Sequence, residues 1–311
     1  MVTIRPEREE DYARVARLLS MGYAEPVSEA QVREWRMNQP AGRISLRLVA
    51  EDAAGEVLGY AHALRDEWEG PVGWLHVAVD PEARRQGIGT RLYDHVAAFV
   101  QTHGSTQPRA EVRETLATDG MPFAERRGFH RKRHIFESAL DLVAFDEAPF
   151  AANLAHVEGA GIRFRSLAEL GDTASARRTL HALNEAVAMD IPGRDVPPRP
   201  YEAFAKQIFE ATWFRPEGQI VSLDGETWIG LAAVGIFSET HSAYNLMTGV
   251  LPAYRGRGVA QALKVLAIRF AHRSGATLIR TNNDSENGPM LAVNRKLGYQ
   301  PEPGYYVMAR E

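Results

Sequence analysis

The chain reads as an α/β (α+β) protein built twice over, each copy a mixed, mostly antiparallel sheet flanked by helices. Three observations carry that reading. A strand-like apolar run, a glycine-rich basic turn and a helix-like run follow one another at residues 74–92 and again at 244–263. The two copies keep one internal ruler. Gly87 to Gly258 spans 258 − 87 = 171 residues and Gly128 to Gly298 spans 298 − 128 = 170. Within each copy, turn to final glycine is 128 − 87 = 41 or 298 − 258 = 40 residues. Finally, 311 residues exceed what one core usually organises, so two domains are expected.

In the first copy, residues 2–5 form a strand candidate, and Tyr12, Val15, Ala16 and Leu19 share one helical face. Alternation over 43–51, a turn at 52–55 and a second strand at 57–64 predict a hairpin. A strand at 74–79, the first glycine turn and a helix to about 103 come next, with Leu92, Val96, Phe99 and Val100 at helical spacing. A strand at 109–113, a helix at 121–127 stopped by Gly128, and a strand at 135–143 complete the copy.

The segment 148–160 has no clear period and is expected to be a linker between domains at 1–147 and 161–311. The order then restarts with a strand at 161–165 and a helix face of Thr179, Leu180, Leu183, Val187 and Ala188. Four prolines make 191–200 an irregular loop, and 201–211 is expected to be helical. Asp224-Gly225 turns a hairpin of 218–223 and 227–237. Strands at 244–250, 277–281 and 305–308 and helices after Gly258 and at 290–297 follow.

Composition narrows the function classes. The chain is 45% hydrophobic and 24% charged, as in an ordinary globular protein. Its net charge of -4 gives no general attraction to nucleic acid or anionic membrane. With no cysteine, a disulfide framework, a thiolate zinc site and a cysteine nucleophile are excluded. The ten histidines show no metal-ligand spacing, so no metal is expected. The first residues lack a signal-peptide pattern, and a cytoplasmic protein is expected, monomer or homodimer. The basic run from Arg126 to His134 is expected to be a solvated face.

The glycine turns are built for an anion. Glycine lets backbone approach a ligand, and the free amides and dipole of a helix N-terminus favour negative charge. Neither turn carries the lysine of a Walker loop or the third glycine of a dinucleotide fingerprint. What remains is Arg84-x-x-Gly87-x-Gly89 and Arg255-x-x-Gly258-x-Ala260, each after a Val-x-Pro lead-in. This pattern resembles the pyrophosphate-binding motif of the GCN5-related N-acetyltransferases (the GNAT superfamily). Nearly the whole chain resembles the tandem-domain, mycothiol synthase-like type, most closely over 248–263 and 281–299.

The resemblance implies acetyl-CoA, with pantetheine paired to a splayed strand and pyrophosphate in the turn. It places the cofactor at Thr248, Gly249, Val250, Arg255, Gly256, Arg257, Gly258, Val259, Ala260 and Gln261, with Asn282, Asn287 and Asn294 nearby. The first copy's equivalents are Val77, Ala78, Val79, Arg84, Arg85, Gln86, Gly87, Ile88, Gly89 and Thr90. It further implies direct attack of a small-molecule amine on the thioester, Glu239 as a candidate base and Asp190 as an anchor for the substrate ammonium. The tyrosine that commonly protonates the leaving thiolate is missing from both copies, replaced by Ala124 and Asn294. Asn294, Tyr299, Tyr305 and Tyr306 remain as candidates. Amide side chains crowd only the second copy, which is therefore expected to be catalytic, the first being a degenerate copy. An acyl-CoA sensor without turnover is the alternative.

Overall fold

The computed structural model describes residues 2–23 and 25–311. Their contacts divide the chain into one unit of residues 1–134 with 303–311 and a second of residues 135–302. The boundaries expected from sequence, 1–147 and 161–311, differ from these. The chain's last nine residues belong to the first unit, and the first copy's closing strand belongs to the second. The expected linker at 148–160 is also helical over most of its length. Its period is faint because Val157 is the one buried residue of that helix.

The first unit contains strands β1 (Thr3–Pro6), β2 (Arg43–Glu51), β3 (Val57–Asp66), β4 (Val72–Val79) and β5 (Gln107–Arg113). Its helices are α1 (Tyr12–Ser20), α2 (Glu29–Met37), α3 (Ile88–Thr102) and α4 (Ala117–Glu125). The strands lie in the order β1-β2-β3-β4-β5. All neighbours are antiparallel except β4 and β5, which are parallel. Next to β5 lies the end of the chain: residues Tyr305 to Ala309 of its last strand pair antiparallel with Arg113 to Arg109. One face packs against α3 through Ala61, Ala63, Leu75, Leu92 and Val96. The other packs against α1 and α2 through Val15, Leu19, Val32, Val49 and Tyr60. Helix α2 escaped the sequence pattern because only Val32 of it is buried, yet Ser28 and Gln31 form a reciprocal capping box at its start.

The second unit takes up β6 (His130–Asp141) from Ile135, then α5 (Ala151–Gly159), β7 (Ile162–Ser166), α6 (Ala174–Ala188) and α7 (Tyr201–Phe204). The expected helix at 201–211 widens after Phe204 into a π-turn over Ala205–Phe209. Strands β8 (Gln219–Asp224), β9 (Thr227–Phe237), β10 (Ser242–Val250) and β11 (Leu278–Asp284) follow, with helices α8 (Val259–Arg273) and α9 (Gly288–Lys296). The last strand is β12 (Gln300–Ala309). The sheet order is β7-β8-β9-β10-β11-β6, again antiparallel except for β10 and β11.

The units differ by one residue in the strand before the turn. Trp74 pairs with Leu64 and Val79 with Gly59, whereas Tyr244 pairs with Gly235 and Val250 with Gly230. Equal lengths of partner strand therefore face five steps of β4 and six of β10. A bulge between Asn245 and Met247 absorbs the extra residue.

Candidate active site

In both units the parallel strand pair opens like a V. β4 and β5 pair from Val72↔Gln107 to Leu75↔Ala110, and both strands then continue unpaired with each other. β10 and β11 pair from Ser242↔Leu278 to Tyr244↔Arg280 before doing the same. The splay bares backbone N–H and C=O groups in the middle of a sheet, where a ligand with amides can complete the ladder.

At the open end of each V stands the glycine turn. Gly87 and Gly258 precede their helices with φ of 80° and 82°, a left-handed conformation that costs a side-chain-bearing residue energy. Two residues earlier, Gly256 also has positive φ, whereas its counterpart Arg85 carries φ of 63° with a side chain. The first amides to bond back along the helices are Arg91 to Gly87 O and Ala262 to Gly258 O, each at 3.1 Å. The preceding helical amides are therefore available to an anion. Arg84 Nε donates to Val79 O at 3.2 Å and Arg255 Nε to Val250 O at 3.0 Å, fixing both arginines against the strand ends.

A cavity of about 430 Å³ joins turn and splay in the first unit. Of the residues expected there, Val77, Ala78, Val79, Arg84, Arg85, Gly87, Gly89 and Thr90 line it. Gln86 is exposed and Ile88 points into the core at 2% exposure. Asp119 on α4 accepts from Arg84 Nη1 at 3.0 Å and Arg85 Nη2 at 2.6 Å. Arg127 donates to Thr90 Oγ1 at 2.8 Å and lies over the Phe123 ring. These wall residues were missed in the sequence, and so were Tyr93, His76 and Tyr23. Only Arg127 carried a signal, as part of the basic run read as a solvated face.

His76 stands where the V begins to open, stacked on its cross-strand partner His62 with ring centroids 5.1 Å apart. Burial, then Arg113, pushes its imidazole down to about 4, and burial holds His62 well below the usual range too. His76 Nε2 and His62 Nδ1 are buried without a hydrogen-bond partner. The cavity thus carries a neutral imidazole at physiological pH.

In the second unit the expected residues have specific partners. Thr248 Oγ1 donates to Asn245 Oδ1 at 2.9 Å, and Gly249 packs under Val187, whose side chain fills the space a Cβ would need. Val250 and Val259 are core residues and Ala260 is packed against them. Arg257 donates to Ala253 O, and Gln261 Oε1 accepts from Lys296 Nζ at 3.0 Å. Asn287 caps α9 by accepting from Met290 N, while Asn294, 2% exposed, donates to Asn283 Oδ1. Asn282 is half-buried on β11. The Asp190 carboxylate is held by Arg255, so it faces the anion turn instead of standing free for an ammonium. Glu239 is exposed on the turn before β10, at the paired end of the V. Tyr299 is buried with its hydroxyl unpartnered, and burial pushes its phenol up. Tyr305 and Tyr306 lie in the first unit, where Tyr306 donates to Glu114.

Comparison with known proteins agrees with this geometry. The model of the acetyltransferase (GNAT) family matches residues 11–129 and 186–299. The chain is 29% identical over 227 residues to a mycothiol acetyltransferase of Corynebacterium efficiens, covering 72% of this chain and 69% of that one. It is 26% identical over 259 residues to a mycothiol acetyltransferase of Catenulispora acidiphila, covering 78% and 74%. Among solved structures, a tandem GNAT protein from the clavulanic acid biosynthesis pathway superposes with a TM-score of 0.78 at 21% identity, covering 100% of this chain and 98% of that one. A GCN5-related N-acetyltransferase from Sphaerobacter thermophilus gives 0.74 at 20% identity, covering 100% and 95%.

Proposed function

The chain belongs to the acetyltransferase (GNAT) family and is an N-acetyltransferase; from that premise we propose that it transfers acetyl from acetyl-CoA to a primary amine of a small molecule, with the donor seated in the first unit's cavity. One observation carries the reading, against the expectation from sequence that the second copy is the catalytic one. A single cavity connects the positive-φ turn at Gly87 to the mutually unpaired edges of His76–Val79 and Glu111–Val112.

The residues fit a coenzyme A thioester. Gly87 has open space where a Cβ would project, so a diphosphate can reach the backbone there. Arg84, Arg85 and Arg127 supply positive charge around it. The bare strand edges suit an arm with two amides. When bound, acetyl-CoA supplies an acetyl carbonyl carbon activated by its thioester. A backbone N–H of the splayed β4 would donate to the carbonyl oxygen, a placement that stabilises developing negative charge. With no cysteine in the chain, no thiol can hold the acetyl group, which favours direct attack by the amine.

A second reading, an acyl-CoA-binding sensor, is favoured by Ala124 and Asn294, neither of which can give a proton. Titration calorimetry with acetyl-CoA tests the donor site, and thiol release across a panel of primary amines separates enzyme from sensor. Absence of binding heat would overturn both readings.

A further inference from the structure

We infer that the amine acceptor also carries a carboxylate, which the Arg47 guanidinium holds at the far end of a row of side chains leading out of the first unit's cavity. This rests on the donor site proposed above.

The row is written in the sheet register. Arg47 on β2 is the cross-strand partner of His62 on β3, and His62 is the partner of His76 on β4. Cross-strand partners share a face, so the three side chains stand side by side. His76 lines the cavity and follows Leu75↔Ala110, the last pair of β4 with β5, where the splay opens. The row thus starts at the splay, where the amine meets the thioester of the proposed donor, and ends two strands away. With neighbouring strands ~4.8 Å apart, it spans about 10 Å.

The face is open along this row. Two residues along the same strands, Val49 and Tyr60 are 0% exposed beneath α1 and α2. Arg47, His62 and His76 are partly exposed, as are Leu64 and Trp74 in the next row. The helical cover therefore stops short of the row and leaves a ligand access to it.

The charges on this face do not balance. Burial, then His76 and the charges of Arg36, Arg47 and Arg43, hold the His62 imidazole well below its usual range, so all three arginines act on this spot. Arg36 has its own carboxylate in Glu7 at 2.8 Å and Arg43 has one in Asp66 at 2.6 Å, both acids nearly sealed. The Arg47 guanidinium makes no hydrogen bond and no ion pair among the described residues, and burial and then Arg36 push it down. A half-buried guanidinium beside another cation is relieved by an incoming carboxylate, which it can grip with two parallel bonds. Along the way, His62 Nδ1 and His76 Nε2 lie without partners, and neutral imidazoles can donate or accept.

The length of the row sets the acceptor's shape. An α-amino acid bears its amine and carboxylate on one carbon and cannot reach from the splay to Arg47. An amine and a carboxylate separated by several bonds can.

Straight-chain ω-amino acids from glycine to aminooctanoate are compared with alkylamines of matched length, by thiol release from acetyl-CoA on the full chain. The longer amino acids should exceed their alkylamines in kcat/KM by roughly tenfold or more, the worth of a charged hydrogen bond, and glycine should not. Arg47→Gln should erase that preference through KM, and Arg47→Lys should keep part of it, while calorimetry shows acetyl-CoA binding both variants as it binds wild type. A preference that survives Arg47→Gln, equal rates for amino acids and alkylamines, or acetyl-CoA heat without thiol release from any member of the series each overturns the inference alone. No acetyl-CoA heat in the wild type overturns the donor-site reading and the inference with it.

Discussion

Arg84 and Asp119 face each other across the wall of the first unit's cavity, guanidinium Nη1 to carboxylate Oδ2 at 3.0 Å. The same carboxylate binds Arg85, so one acid ties up both cations of the anion turn. Asp119 is 43% exposed, and exposed pairs contribute only about 0.2–1 kcal/mol. Stability should therefore change little in Asp119→Asn, whereas a bound diphosphate gains both arginines and loses a nearby negative charge. We expect acetyl-CoA to bind roughly two- to fivefold tighter, an effect of that same energy. Calorimetry checks this, and weaker binding would show that Asp119 helps the ligand.

The two turn glycines should respond unequally to alanine. Both have φ near 80°, so each substitution carries a left-handed cost of about 1–2 kcal/mol. A Cβ on Gly87 meets open space, but one on Gly258 would fall 2.3 Å from Asn153 Nδ2 on α5. Gly258→Ala should lose clearly more stability than Gly87→Ala in denaturant titration, and adding Asn153→Ala should recover part of the difference. Equal losses would mean that Asn153 moves aside freely.

That asymmetry marks the limit of what could be read in the chain. The turns, the strands before them and the repeat were legible because glycine conformation and strand and helix periods are local properties, whereas the splay was implied by the resemblance alone. Residues 77–90 accordingly supplied most of the turn side of the cavity. Tyr93 and Asp119 were not legible, because they reach the site from helices whose apolar period looks the same whichever way a cavity faces. The destination of β12 was equally hidden. Tyr305 to Met308 read as a strand in sequence, but which sheet edge it joins depends on contacts some two hundred residues away. The ion pair of Asp190 was not legible because its partner, Arg255, lies 65 positions on.

Removing residues 303–311 should damage the first unit more than the second. Those residues cover β5, and Glu114 accepts from Gly304 N at 2.6 Å while Arg113 lies 4.6 Å from the Tyr305 ring centroid. The truncated chain should lose hydrogen-exchange protection in β4 and β5 and keep it in β8 and β9. A synthetic peptide of residues 300–311 should restore it. Uniform loss across both units would contradict the division of the chain described here.

The buried histidines should make the first unit acid-sensitive. With the imidazole of His76 pushed down to about 4 from 6.5, the unfolded chain binds a proton between those values that the folded chain refuses. Stability is then fully present above pH 6.5 and is lost as pH falls toward 4, by up to about 3 kcal/mol for this group at about 1.4 kcal/mol per unit. His62, shifted the same way, adds to the effect. Urea titrations at pH 7 and pH 5 should show a smaller drop in His76→Phe than in wild type. A drop of the same size would place the acid sensitivity elsewhere.

Lys264 predicts the opposite pH range for the second unit. Burial pushes its amine from 10.5 down to about 7. Below pH 7 both folded and unfolded chains carry the charge, and the folded state bears the full cost of burying it. Between pH 7 and 10.5 the unfolded chain is protonated and the folded one is not, so rising pH releases that cost at about 1.4 kcal/mol per unit. Replacing Lys264 with methionine keeps the length and removes the charge. The variant should exceed wild type by a few kcal/mol at pH 6, and the margin should shrink by about 2 kcal/mol or more by pH 9. Denaturant titrations of the two proteins at pH 6, 7, 8 and 9 measure the margin directly. A margin independent of pH would mean that the amine finds solvent or a counter-charge.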